Sequence, residues 1–547
     1  MSATFQKAVF LLPIGAVGLA AAIHATAYLT GEERRHFPRF WLFFLLTIAA
    51  MAGVVLSSSL FGFLLAWETM GLASAGLVAF ENEARPAKKA TWIYLMACHA
   101  GACALMLAGV LLARGELAVA ALTLGFVGFG LKIGFPPFHV WLPEAHPAAP
   151  APASAVMSGA MIPLGFYGLT HFFGYSGGWA YLALGIVGAL GGILFALPQT
   201  NLKKLLAFSS VENMGVISMG LGLYSLTQDP AALAGALAHV LNHAFLKGAL
   251  FLGAGSVLRQ TGTLNQDALG GLMKRMPFTG SLFTVNALGL AGLPPLNGFL
   301  GELLIYLSAL HAVTTRTPSA MVAGFAVLVA LSLTGGLAAA AYCKAIGASF
   351  LGEPRGASAA QAVETPRRMY LAQAFLTLGS LAMIPGTVLI ANHVGAASAV
   401  PTLIKAAVVG CGVVLLTAAL LVLRRKACPR GGVKPVCPTW DCGYHAPTAR
   451  MAYTATAFTQ PLADLFRGLL RSRRHLIPFR GHPSAPFAAG IATETDDLGL
   501  AGFWRPVFTW FARLFQRAHL LQNGSLHLYI LLILLAVAAL VAAAFFA

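Results

Sequence analysis

The stretch FGLKIGFPPFHVWLPEAH, Phe129–His146, decides how this chain is read. An apolar run ends at Lys132, and Pro136 and Pro137 follow almost at once. A second stretch, GLPPLNGFLGE at 292–302, repeats the pattern G-x-P-P-x4-L-x-E of 134–144 at a constant offset of 158 residues. Proline removes a backbone donor and crowds the preceding helical turn. Each stretch therefore predicts a helix broken at the same place, with the helix-break prolines Pro136 and Pro137 in one and Pro294 and Pro295 in the other.

The surroundings are apolar. Of 547 residues, 58% are hydrophobic and only 10% charged, with mean hydropathy +0.77. Soluble domains carry about 25% charged residues. Runs of 18–25 apolar residues recur, each long enough to cross a bilayer core of about 30 Å as helix. The fold class is an all-α polytopic membrane protein. Fourteen spans are predicted: about 8–30, 40–58, 60–80, 90–113, 117–145, 152–174, 178–198, 204–225, 231–257, 278–311, 320–350, 369–392, 401–424 and 524–546. The first lacks a small-residue cleavage site and is expected to be retained.

The 35 basic residues sort cleanly over these spans. Odd-numbered loops and the long segment 425–523 with its edge residue Arg424 hold 28; the N-terminus and even-numbered loops hold only Lys7, Arg114, Arg316 and Lys405. The positive-inside rule then predicts both termini outside and 425–523 in the cytoplasm. A net charge of +17 is thus a matter of topology and not of nucleic-acid binding. With alternating directions, span five runs inward and span ten outward. Similar sequences in opposite directions mark an inverted-topology repeat, and broken helices at matching positions point to an ion or substrate path. Freed backbone groups are tolerated at membrane depth only where protein or water satisfies them. The expected organisation is 1–58 N-terminal helices, 59–174 first repeat, 175–350 second repeat, 351–424 accessory helices, 425–523 a basic amphipathic lateral segment, and 524–547 a terminal span. Within 425–523, residues 458–479 and 503–521 interleave arginines with aromatic and leucine residues, as interfacial helices do.

Ionisable residues inside a membrane are costly and functional by default. Glu68 lies in FLLAWETMGLAS; Lys132 precedes the first break; His239, His243 and Lys247 fall four apart on one helical stripe; Glu302 follows the second break. Desolvation lowers a lysine pKa and a nearby carboxylate raises it again. Lys132 with Glu68 as partner can therefore load and release a proton, and histidine can bridge acceptors near neutral pH. Lys344, near the cytoplasmic end of span eleven, is expected to snorkel. Glu212, Asp267 and Glu364 fall in or near predicted loops and carry less information. Cys98 is expected to be a small buried residue. No catalytic residues and no metal site are expected: the HxxxH pair lacks a third ligand, and CPTWDCGY has the wrong cysteine spacing.

Six ordered motifs over about 55–305 carry a family resemblance: FLLAWETMGLAS, FGLKIGFPPFHVWLPEAHPAAPAPAS, LKKLLAFSSVENMG, HVLNHAFLKGALFLGAGSV, LGGLMKRMP and LAGLPPLNGFLGE. They resemble the antiporter-like subunits of respiratory complex I, Mrp-type sodium/proton antiporters and membrane-bound hydrogenases. SSVENMG, TWDCGY, RMAYTATAFTQPL and QNGSLHLY are most similar to the large antiporter-like subunit of formate hydrogenlyase and hydrogenase-4-type complexes.

The resemblance implies that Glu68 and Lys132 form the pair of a first half-channel. It makes His239, His243 and Lys247 the central and second-half relay, and Glu302 the distal residue. It implies movement of protons, and of sodium in some members, in a non-catalytic subunit without cofactors. Nickel–iron, iron–sulfur and further membrane subunits of an inner-membrane redox complex would be its partners. Two departures stand out. Pro163 takes a place where many relatives carry a lysine or histidine, so the bridge between half-channels must use water, His171 or another residue, or be broken. The Glu68 helix is the third span and not the fifth, as though two N-terminal helices were missing. The rival readings are a free-standing or Mrp-type Na⁺/H⁺ antiporter subunit, and a structural membrane subunit that no longer pumps.

Overall fold

The computed structural model describes residues 2–31, 36–80, 85–115, 118–315, 317–427, 453–470, 472–482, 485–495 and 499–518. The chain through Thr495 forms one compact unit and residues from Asp496 onward a second.

The first unit is a helical array. In chain order it comprises α1 (Ala3–Tyr28), α2 (Phe37–Leu56), α3 (Leu60–Val78), α4 (Arg85–Arg114), α5 (Ala118–Ile133), α6 (Leu142–Ala148), α7 (Ala151–Val156), α8 (Leu164–Phe173), α9 (Gly178–Ala196), α10 (Leu202–Thr227) and α11 (Pro230–Thr261). It continues with the short α12 (Leu272–Arg275), then α13 (Pro277–Leu290), α14 (Asn297–Thr314), α15 (Pro318–Phe350), the short α16 (Ala357–Gln361), α17 (Arg367–Val394) and α18 (Val400–Ala427). Among the described residues, twelve helices or helix runs are long and apolar enough to cross a membrane. The broken pair α13–α14 occupies the predicted tenth span. Thirteen of the fourteen predicted spans thus have a helix at their place, and the fourteenth, 524–546, lies outside the described residues.

Both breaks fall where the repeat puts them. α5 stops at Ile133 and resumes through a 3₁₀ turn, Phe138–Trp141, into α6. α13 stops at Leu290 and α14 begins at Asn297. Pro136–Pro137 and Pro294–Pro295 are both cis. A carbonyl freed by the first break, that of Leu131, accepts from Trp141 Nε1 at 2.7 Å. At the second break, Asn242 Nδ2 of α11 donates to the Asn297 carbonyl at 2.8 Å, and Asn297 Nδ2 returns a bond to Asn242 Oδ1 at 3.1 Å. At the first break a protein group thus replaces a missing helical partner, as a low-dielectric setting demands, and at the second the asparagine pair ties α14 to α11.

α10 and α11 form the centre: their apolar windows are 100% buried, against 6% for α18. α9 lies backbone to backbone on α10. A side chain at Gly215 would bring its Cβ within 2.7 Å of Ala189 Cα. Small residues at such crossings let membrane helices approach without a hydrophobic driving force. Between α7 and α8 the helix widens into a π turn, Met157–Met161, just before Pro163. The π turn shifts the backbone bonding register where proline supplies no N–H.

One end of the array is sealed by loops. Arg355 donates to the carbonyls of Asp267 (2.9 Å), Gln266 (2.6 Å) and Ala348. Lys274 pairs with Glu353 at 2.7 Å and holds that carboxyl below its usual range. Glu364 caps α13 by accepting from Phe278 N and Thr279 N. Asp267 takes Thr456 N (3.1 Å) and Thr456 Oγ1 (2.5 Å), which fastens α19 (Ala455–Leu465) to this surface.

The tail corrects one expectation. After α19 and the short α20 (Arg467–Leu470), residues 472–479 are not amphipathic helix. They belong to β1 (Ser472–His482), antiparallel to β2 (Ala485–Thr495). The run RSRRHLIPF has β-branched and proline residues that suit extended chain better than helix. The second unit holds a π turn, Gly499–Trp504, and α21 (Arg505–Ala518), which agrees with the helix predicted at 503–521. The segment TWDCGY lies outside the described residues.

Candidate functional site

Lys132 ends α5 and is buried at 4% exposure. Its ammonium donates to Cys98 Sγ at 3.2 Å and Tyr94 Oη at 3.4 Å, both from α4. It also lies over the rings of Tyr94 (5.3 Å) and Trp67 (5.6 Å). Tyr94 in turn shares a 2.7 Å bond with Ser74 of α3. A small cleft, with room for about one water and lined by Trp67, Cys98, Gly128, Lys132 and Trp141, reaches the ammonium. Cys98 is therefore a partner of the lysine and not only a small buried residue.

Glu68 is not in ion-pair contact with Lys132. Its carboxylate lies 3.8 Å from His99 Nδ1, with 24% of its side chain exposed. Helical geometry explains the separation. Trp67 and Glu68 are adjacent on α3 and so point about 100° apart. Trp67 faces the lysine, and Glu68 turns toward the edge of the bundle. Tyr94 and His99 escaped the sequence reading, and Cys98 was read only as a small buried residue; their spacing of four and five along an apolar helix was the available signal.

The second group surrounds α11. His239, His243 and Lys247 are all buried at 1% exposure or less. Lys247 Nζ donates to the Leu206 carbonyl (3.0 Å), to Ser209 Oγ, and to Tyr342 Oη of α15 (3.4 Å). His239 Nε2 meets Asn213 Oδ1 at 3.1 Å. Both ring nitrogens of His243 lack a hydrogen-bond partner among the described residues, as do those of His146 on α6. Glu302, on the first turns of α14, is 9% exposed and packs against the backbone turn at Gly292. The repeat gives Glu302 a twin in Glu144, which instead pairs with Lys89 at 3.2 Å.

Three readings change. Glu212 is not near a loop: it lies mid-way along α10, 2% exposed, bonded to Asn213 Nδ2 at 2.7 Å. Lys344 does not snorkel. It is 2% exposed and donates to the Leu197 carbonyl and, at 2.7 Å, to the Gln199 carbonyl, closing the end of α9. Such bonds to last-turn carbonyls also favour the helix dipole. His171 lies exposed, stacked on Tyr167 at 5.4 Å, and faces away from the interior. The ground beside Pro163 is crossed by a buried hydroxyl pair instead: Ser158 Oγ of the π turn and Ser210 Oγ of α10, 2.8 Å apart. Among the described residues no three histidine, cysteine or carboxylate side chains are placed to hold a metal ion.

The model of the family "NADH:quinone oxidoreductase/Mrp antiporter, TM" matches residues 57–331. The chain belongs to this family. Hydrogenase-4 component B of Escherichia coli (strain K12) is 31% identical over 98% of the chain and 88% of its own length. Formate hydrogenlyase subunit 3 of the same organism is 34% identical over 65% of the chain and 61% of its own length. Among solved structures, the fold is similar to a chain of the archaeal membrane-bound sulfane sulfur reductase, with TM-score 0.76 and 21% identity over 98% of this chain and 88% of that one. It is also similar to a chain of the Mrp complex from Dietzia, with TM-score 0.62 and 21% identity over 74% and 85%. The protein is thus an antiporter-like, polytopic membrane subunit of the family that includes complex I, Mrp and hydrogenase components.

Proposed function

We propose that this chain translocates protons as the antiporter-like subunit of a redox-driven complex of the membrane-bound nickel–iron hydrogenase or formate hydrogenlyase type. The observation that carries the reading is the set of buried ionisable side chains beside the two broken helices: Lys132 at the first, and His239, His243, Lys247 and Glu302 around the second. Burying charge without need is strongly unfavourable. Glu68 and His99 take up the proton at the edge of the bundle, and the cleft beside Trp67 leads it to Lys132. Among the described residues the ammonium there has only a phenol, a thiol and ring faces as partners, none of which holds a full counter-charge. Ser158 and Ser210, with water, bridge past Pro163 toward Lys247, since Ser210 and Lys247 both bond the Leu206 carbonyl. Both termini lie outside the inner membrane and 425–523 in the cytoplasm. The tail from α19 clasps neighbouring subunits. The hydrogenase-type complex is favoured by the near full-length likeness to hydrogenase-4 component B. A sodium-exchanging Mrp-type subunit and a non-pumping structural subunit are the competing readings.

One preparation tests this. Tagged wild type and Lys132→Ala are purified in mild detergent with whatever accompanies them, identified by mass spectrometry, and sealed into liposomes. The expected result is nickel–iron and iron–sulfur subunits in fixed ratio with both forms. Proton uptake under an imposed potential should fall about a hundredfold in the variant. Unchanged uptake in Lys132→Ala sinks the pumping role. Isolation without redox subunits sinks the hydrogenase-type complex.

A further inference from the structure

Glu212 is the buried carboxylate that the motif reading set aside. We infer that Glu212 is an ion-transferring residue at the centre of the second half-path, exchanging a proton with Lys247 and passing it toward Glu302, and that Asn213 holds it in register with His239. The inference rests on the translocation reading above and adds a carrier to it.

The placement is costly in a way that structure alone does not need. The apolar window of α10 is wholly buried, and Glu212 sits at a close crossing of α9: a Cβ at Gly192 would come within 2.9 Å of Glu212 Cα. A structural carboxylate at such a site is expected to be neutralised by an ion pair and several hydrogen bonds. Glu212 has neither among the described residues. No cation lies within ion-pair distance, and the bond it accepts is from one amide, Asn213 Nδ2. The charged groups that act on it are the ammonium of Lys247 and the carboxyl of Glu302. The geometry therefore leaves Glu212 a charge to be met by something that comes and goes.

Asn213 explains the orientation. Its amide nitrogen donates to the Ser209 carbonyl and to Glu212 Oε2, both at 2.7 Å. That uses both amide hydrogens, so Oδ1 faces His239 Nε2 as an acceptor. His239 is then held as its Nε2–H tautomer, with Nδ1 unpartnered among the described residues and free to accept a proton. Ser209, whose carbonyl anchors Asn213, also takes a bond from Lys247 through its hydroxyl. One helical turn of α10 thus bonds Lys247 through Ser209 and His239 through Asn213. The step balances: one proton leaves the Lys247 ammonium and adds to the Glu212 carboxylate, leaving a neutral amine and a neutral acid. The acid then releases it to Glu302, and no electrons move.

The test uses the full chain with its co-purified subunits in sealed liposomes, protons as the probe, and an imposed potential. Glu212→Gln should reduce proton flux about a hundredfold while Glu212→Asp keeps a measurable part of it. Lys132→Ala and Lys247→Ala are run beside them. If those two lose flux and Glu212→Gln keeps it, this inference is overturned and the translocation reading stands. If all three keep it, the translocation reading itself fails. Should Glu212→Gln not accumulate in membranes, infrared difference spectra of Glu212→Asp after a pH jump decide. A protonated-carboxyl band shifted from its wild-type position supports the inference, and an unmoved one overturns it.

Discussion

Lys132, Lys247 and Lys344 are all buried lysines inside apolar helices, yet their surroundings sort them. Lys344 meets two carbonyls at a helix end, a permanent dipolar partner that calls for no exchange. Lys132 meets a phenol, a thiol and two ring faces, partners that are weak and adjustable. Tyr94 Oη is the oxygen in that set, and it is anchored by Ser74. Tyr94→Phe removes a bond of about 1 kcal/mol net, so proton flux should fall about fivefold. The same liposome assay checks this. A loss as large as that of Lys132→Ala would make the phenol itself a carrier, and no loss would mean that the lysine does not depend on it.

At the scale of elements, the proline breaks and the glycine crossings do complementary work. The first break frees the Leu131 carbonyl, which Trp141 satisfies, and at the second Asn242 holds the start of α14 through Asn297, so each broken helix is tied to one partner. The glycines let α9 and α10 touch along their backbones, which places Glu212 in protein on all sides. Gly215→Val would force its side chain into the Ala189 backbone, which cannot yield as a flexible side chain would. Overpacking of this kind costs about 1–3 kcal/mol or more. The expected outcome is a lower melting temperature of the purified chain and reduced accumulation in membranes. Wild-type thermal stability would contradict the close crossing. The same logic applies to Gly410, where α18 meets the second break: a Cβ there would come within 2.8 Å of Pro295 Cα.

For the whole molecule, the distribution of charge predicts direction. Basic residues gather at the end where Arg355 and Lys274 knit the loops and α19 docks, and few lie at the other end. Ser358 belongs to the first set of loops and Ser398 to the second, and both are exposed. In a background without the exposed native cysteines, an impermeant maleimide on intact cells should label Ser398→Cys and spare Ser358→Cys. The reverse pattern would overturn the predicted orientation.

The sequence by itself determined the membrane class, thirteen helix positions among the described residues, both breaks and the family. These follow from local properties: hydropathy over a span's length, proline chemistry, and ordered motifs. It also marked Lys132, His239, His243, Lys247 and Glu302, because charge inside an apolar run is visible in one dimension. It misplaced Glu212, since SSVENMG reads as polar until α9 and α10 are seen to bury it. It paired Glu68 with Lys132, although only the rotation of α3 decides which of two neighbours faces the lysine. It assigned Lys344 to the interface, although the end of α9 comes to meet it inside. Which buried charge finds which partner depends on how helices distant in sequence are packed and rotated, and only the tertiary structure settles that.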